Sequence, residues 1–112
     1  MSVQPATYND TIQRRAIYDL TLQFVDSTGA DIDLTGWTVR SQIWDLTRTT
    51  QYASFTVTYP SITTGQVKLS LTSAETTSLP DQVYYDVLTI NPAGDKEYYL
   101  EGTFYVSEGY TT

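Results

Sequence analysis

Histidine and cysteine are both missing from this chain, and those two absences remove most of the chemistry that side chains perform near neutral pH. Without imidazole there is no usual general base and nothing to activate a serine; without thiol there is neither a strong nucleophile nor a disulfide. A carboxylate pair could still hydrolyse a glycoside. The nearest candidates, Asp31 and Asp33, stand two residues apart beside a turn and read as solvated loop charges, so no enzyme is expected. Absent cysteine fits a reducing compartment without excluding a particle later exposed outside the cell. Long apolar runs are missing too, so no helix long enough to cross a bilayer is expected. No basic start with an apolar stretch precedes Asn9, so no secretory signal is expected, and the sequon Asn9-Asp10-Thr11 reads as a chance match.

Basic residues are scarce: 6 Lys+Arg stand against 13 Asp+Glu, a net charge of −7. Arg14, Arg15, Arg40 and Arg48 lie in the first half, and only Lys68 and Lys96 in the second. A phosphate backbone or an anionic membrane needs a basic stripe, so neither nucleic acid nor membrane is an expected partner. Asp26, Asp31 and Asp33 could offer oxygen to calcium, but the spaced acidic series and closing Glu of an EF-hand loop are absent, and they read as an acidic turn. Gly29, Gly36 and Gly65 form no phosphate-cradling pattern. No metal and no cofactor is expected.

What is abundant is strand-forming residues. Thr, Tyr, Val, Ile, Phe and Trp make up 49 of 112 residues, types that suit a pleated, half-buried surface. Residues 1–10 read as a polar N-terminal arm, 11–107 as one domain and 108–112 as a tail. From Ile12 to Val25, Tyr18, Leu20, Leu22 and Phe24 share one face; the run is long enough that a break near Arg15-Ala16 is expected. Residues 32–36 suggest a short edge piece. Trp37, Val39 and Ile43 point inward with Arg40 and Gln42 outward, 45–53 reads as a loop, and the row Phe55, Val57, Tyr59 ends at Pro60. Val67, Leu69 and Leu71 alternate cleanly after the turn at Gly65. Thr72 and Glu75 have capping-box spacing, which predicts one short helical turn over 73–78, stopped by Leu79-Pro80. Strands over 83–90 and 98–106 complete about seven, with turn signals between them, a spacing that favours a sandwich or small barrel.

Strand 83–90 requires a choice of face. A buried unpaired carboxylate is costly, so Asp86 should point out and Tyr85 in. Asp81 and Tyr85 then have the spacing of a tyrosine corner, in which the hydroxyl bonds back to the preceding turn. The same register turns Tyr84, Leu88 and Ile90 outward, as a contact patch or as a surface covered by a neighbouring segment. Ten tyrosines support binding, since Tyr and Trp bring rigid area with a polar tip to protein interfaces and sugar platforms alike. Trp44, Tyr52, Tyr105 and Tyr110 join Tyr84, Leu88 and Ile90 as interface candidates.

The order of these features resembles a group of small Ig-like virion domains of tailed phages, including the N-terminal domain of phage baseplate upper proteins. The matching stretches begin with Arg15 to Phe24 and the run Asp26-Ser27-Thr28-Gly29-Ala30-Asp31-Ile32-Asp33-Leu34-Thr35-Gly36-Trp37. Gly65-Gln66-Val67-Lys68-Leu69-Ser70-Leu71-Thr72 follows, then Glu75-Thr76 and Leu79-Pro80. Tyr84-Tyr85-Asp86-Val87, Gly94, and Leu100-Glu101-Gly102 with Phe104 and Val106 are similar to the closing hairpin. The resemblance spans roughly 12–107 and implies an Ig-like antiparallel β-sandwich in the virion, present in multiple copies and docked to other virion proteins. Tail or baseplate fibre adaptor is the first expectation and capsid decoration the second. Unlike the baseplate protein, the chain carries no coiled coil or fibre after Thr112, so it is not expected to join a fibre to a baseplate covalently. A carbohydrate-binding module reading host glycan through Trp44 and the tyrosines is the expectation from a different class.

Overall fold

The computed structural model describes residues 6–26 and 28–108. Its strands form two facing sheets. In the larger, β1 (Ala6–Thr7) and β2 (Asp10–Gln13) lie end to end and parallel along one side of β9 (Lys96–Ser107). β9 pairs antiparallel with β8 (Gln82–Ile90), β8 with β4 (Thr38–Trp44), and β4 with β5 (Gln51–Ser54). The smaller sheet runs β3 (Tyr18–Gln23), β7 (Gln66–Leu71), β6 (Thr56–Ser61), all antiparallel. This is a two-layer β-sandwich, one of the two architectures that the alternation and turn spacing favour, and it has the Ig-like form that the resemblance implies.

Alternation explains the core. Val67, Leu69 and Leu71 of β7 and Val83, Tyr85, Val87 and Thr89 of β8 are all buried, and they meet Ile12, Ile43 and Phe104 between the sheets. At its centre Tyr85 stacks on Phe104, with ring centroids 4.3 Å apart, and Tyr18 meets Phe104 edge-on at 5.2 Å. Each such ring pair adds about 1 kcal/mol beyond its buried area. The expected helical turn is present as α1 (Ser73–Thr77): Thr72 Oγ1 accepts from Glu75 N at 3.2 Å, and Thr72 N donates to the Glu75 carboxylate at 2.9 Å. Thr76, fully buried, donates its hydroxyl to the Ala16 carbonyl at 2.8 Å and so pins α1 to the β2–β3 turn. The break expected near Arg15-Ala16 falls there, with Arg15 at φ 71°, and it carries the chain from one sheet to the other.

Several expectations are corrected. The arm boundary at residue 10 is too late: residues 6–7 and 10 onward are laid into the larger sheet, because the free edge of β9 offers backbone partners such as Glu101 O, which accepts from Tyr8 N at 2.9 Å. Residues 32–34 have no regular structure and 35–36 form a turn instead of an edge strand; Ile32 N donates to Phe24 O and Leu34 N to Ile62 O, and Leu34 is buried there. Part of the 45–53 loop is β5, since Ala53 pairs with the inward Ile43. Pro60 lies within β6 rather than ending it, at an edge where its missing N–H costs no ladder bond and the register shifts. In the tail, Glu108 is held by both Arg14 and Arg15, which keeps its carboxyl below the usual carboxylate range.

The tyrosine corner is corrected as well. Tyr85 points inward as expected, but its hydroxyl donates to the Tyr8 carbonyl at 2.7 Å, while Asp81 offers its backbone carbonyl to Val106 N and its side chain to Arg14 at 3.2 Å. The reason is Gly102, which pairs with Tyr85 across β8 and β9. With no side chain there, the Tyr8 carbonyl settles over the strand; a Cβ at Gly102 would lie 1.8 Å from it. Asn9 completes the junction by accepting Thr103 N at 2.9 Å through its side-chain oxygen.

Gly102→Ala should therefore lower unfolding stability by about 3 kcal/mol in urea titrations, because rigid backbone must move, and should speed amide exchange at Tyr8. Tyr85→Phe, which only strands the Tyr8 carbonyl, should cost about 1–2 kcal/mol. Equal, small losses in the two variants would contradict this packing.

Candidate docking surface

The two outward faces of the sandwich differ in kind. On the smaller sheet the outward row is polar apart from one proline: Asp19, Thr21 and Gln23 of β3 pair with Ser70, Lys68 and Gln66 of β7, with Thr56, Thr58 and Pro60 beyond. On the larger sheet the outward positions form a grid of strand rows. Arg40, Leu88 and Tyr98 share one row, Gln42, Asp86 and Glu101 the next, and Trp44, Tyr84 and Thr103 the third. Tyr105, opposite Gln82, extends the grid and is 52% exposed.

Two strand irregularities shape this face. In β9 the register shifts between Val87 and Leu88, so Tyr99 is the extra residue; it turns in against Phe24, centroids 4.3 Å apart, and hands the outward place opposite Leu88 to Tyr98. At the other end, the β4–β5 hairpin is organised by Asp45. Its carboxylate accepts from Thr49 N at 2.8 Å, Thr50 N at 3.2 Å, Thr49 Oγ1 at 2.7 Å and Thr47 Oγ1 at 3.0 Å. These bonds, the Thr49 hydroxyl first, hold the Asp45 pKa down to about 2. The hairpin needs a left-handed residue, and Arg48 takes that place at φ 58°. Glycine would sit there without strain. Arginine instead reaches back over the sheet, and its guanidinium meets the Asp86 carboxylate at 2.8 Å.

Asp86 thus sits outward, as its charge requires, but it is well covered, with a side chain only 22% exposed. Burial pushes its pKa up; Arg48 opposes the rise and Glu101 across the strand adds to it. The Arg48–Asp86 bridge divides a trough. On one side lies a concavity of about 390 Å³ bounded by Trp44, Tyr84, Asn9 and Glu101; on the other, one of about 320 Å³ bounded by Arg40, Leu88 and Tyr98. The Trp44 indole N–H donates to Gln42 at 3.1 Å, which fixes the ring in the trough wall.

The structure brings together on this face Trp44, Tyr84, Leu88 and Tyr105 from the sequence-derived set. Tyr84 and Leu88 are half-buried, as is Ile90 at the far end of β8. Tyr52 is exposed on the bulged edge strand β5, apart from the trough lining. Tyr110 lies outside the described residues. Arg40, Arg48, Tyr98 and Glu101 were not picked out by sequence reasoning as site residues. The acidic residues weighed for metal or hydrolysis serve their own turns: Asp26 accepts Thr28 N at 2.9 Å and Ala30 N at 3.1 Å, and Asp33 accepts Thr35 N at 2.9 Å. Asp31 accepts from Gln23 at 3.3 Å. Among the described residues no three His, Cys, Asp or Glu gather in a way that could hold a metal ion.

Comparison with protein-family models and with curated proteins gives no match. Solved structures do match. The filamin domain of Lin-41 shares 16% identity, over 88% of this chain and 84% of that one, with a TM-score of 0.51. A structure from a photo-crosslinking study of cell-adhesive interactions of VGSC β subunits shares 9% identity over 99% of each chain, with a TM-score of 0.44. At 16% identity the likeness to the filamin domain is one of fold alone.

Opposite pH signatures should distinguish the two carboxylates. Asp45 has a lowered folded pKa, so its contribution is present above its unfolded value and is lost as pH falls through about 2; the deficit of Asp45→Asn against wild type should shrink as pH drops from about 4. Asp86 has a raised folded pKa, so ionising it costs stability, and Asp86→Asn should gain on wild type as pH rises from about 3.9 upward. Urea titrations of the three proteins across that range check both signs. Parallel curves would contradict them.

Proposed function

We propose that this chain is a non-enzymatic structural protein of a tailed-phage particle, docked to other virion proteins through the outward face of its larger sheet. The observation that carries the reading is the contrast between the two faces. One sheet presents Thr, Ser, Gln, Lys, Asp and one proline to solvent; the other gathers Trp44, Tyr84, Leu88 and Tyr98 around a trough, with Tyr105 beyond it on the same face. Aromatic anchors with polar tips are what protein interfaces concentrate. A sequence without histidine or cysteine supports the non-enzymatic part, and the ordered likeness to tailed-phage virion domains supports the setting. Tail or baseplate, as a fibre adaptor, is the first placement, and decoration of the capsid the second. Repetition by the symmetry of a particle lets a modest contact suffice, since many copies act together.

A second reading takes its support from the trough itself. Trp44 and Tyr84 beside Asn9, Arg48 and Glu101 combine ring faces with hydrogen-bonding groups, the mixture that holds a sugar.

Alanine at both Trp44 and Tyr84 should lower recovery of the chain in purified particles at least about tenfold while the far-ultraviolet circular dichroism stays native. Undiminished recovery would contradict the docking role. Glycan-array binding by the isolated chain, abolished by Trp44→Ala, is the result that would favour the sugar reading instead.

A further inference from the structure

We propose that the outward face of the larger sheet is self-complementary and receives a second copy of this chain, across a two-fold axis lying in the plane of contact and running diagonally over the strands. The proposal rests on the reading of this face as a docking surface and names its occupant.

The charges carry the argument. Covering a face leaves any unpaired charge on it stranded, at a cost of several kcal/mol. Asp86, in the middle, is already neutralised from within the chain by Arg48, so the centre can be covered. Arg40 and Glu101 are different. Both are exposed, and neither makes an ion pair among the described residues. They are of opposite sign and stand on opposite sides of the face. A two-fold contact needs that arrangement, because each residue meets its complement twice, once from each copy.

The spacing agrees. Neighbouring strands are about 4.8 Å apart and alternate residues of one strand about 6.8 Å apart. From the midpoint between Gln42 and Asp86, Arg40 lies half a strand across and one row along, while Glu101 lies one and a half strands across in the same row. Both distances come to about 7 Å. An axis through that midpoint, bisecting the two directions, places Arg40 against Glu101 of the second copy. The same line runs close to Leu88 at one end and to Trp44 at the other, so these side chains meet their own counterparts. The apolar centre of the face and the two open charges that flank it are thus satisfied by one operation; Lys96, opposite Ile90, is a third open charge and lies two rows from the centre, at the end of β9.

Sedimentation measurements on four samples test this. The wild-type chain should dimerise at concentrations up to about 1 mM. Arg40→Glu and Glu101→Arg, each placing like charges together twice, should each weaken dimerisation at least about tenfold. An equimolar mixture of the two variants should restore it, since the mixed pair contains only opposite charges. Both substitutions are at exposed positions, and unchanged thermal melts serve as the folding control. A wild-type chain that stays monomeric throughout, single variants that dimerise like wild type, or a mixture no tighter than its components would each overturn the proposal. If any of these occurs while the Trp44/Tyr84 variant still fails to enter particles, self-pairing falls and the docking reading stands. If the mixture dimerises while that variant enters particles normally, the docking reading falls and self-pairing stands.

Discussion

Asp86 occupies the middle of the strand that pairs with both β4 and β9, and the cost of taking its carboxylate into the core decides which way that strand faces. Because side chains alternate, sending Asp86 outward commits Val83, Tyr85, Val87 and Thr89 to the interior and Tyr84, Leu88 and Ile90 to the surface. Slipping the register by one residue would reverse every one of them. The cross-strand partners follow: Gln42 and Trp44 on β4, Glu101 and Thr103 on β9 are outward because their partners are. The aromatic face is therefore a consequence of one polar group that the core rejects. Arg48 makes that solution durable by giving the half-covered carboxylate a partner, and the left-handed backbone it tolerates shows what the hairpin accepts in order to deliver a guanidinium there.

A second constraint closes one side of the sandwich. β9 would present a long free edge, the kind of surface that recruits unwanted strands. Residues 6–13 cover it in two short parallel pieces, and the gap between them is filled by groups of definite purpose: Gly102 makes room for the Tyr8 carbonyl, Tyr85 donates to that carbonyl, and Asn9 receives the spare N–H of Thr103. Of the other edges, β5 is only four residues long and β6 carries Pro60, while β3 pairs on one side only. The broad outward face of the larger sheet is the surface rich in aromatic rings.

Local periodicity was enough to read the two-layer architecture, the helical turn after Thr72 and the facing of the strand around Asp86, because each depends on neighbours in sequence. The features that escaped it depend on contacts between distant segments. Tyr98 looks inward when alternation is counted back from Leu100, and only the bulge at Tyr99 turns it out. The pairing of Arg48 with Asp86 joins residues 38 apart, and nothing local marks either as the other's partner. The Asp45-Leu46-Thr47-Arg48 turn did carry a signal, an acidic residue followed by hydroxyls, that could have marked it as a built hairpin instead of a polar loop. Likewise Tyr85 was legible as inward, but the destination of its hydroxyl was not, because the Tyr8 carbonyl reaches it through space vacated by a glycine in a third strand.

In the proposed role, one face of one sheet is the contact surface of a non-enzymatic domain. Hydroxyl-radical footprinting of the chain, free and within assembled particles, tests that most directly, since Tyr and Trp rings report their own exposure. Protection concentrated at Trp44, Tyr84, Tyr98 and Tyr105 on assembly, with Tyr59 on the smaller sheet unchanged, is the expected result. Protection at Tyr59 with the four outward rings left as reactive as in the free chain would contradict it.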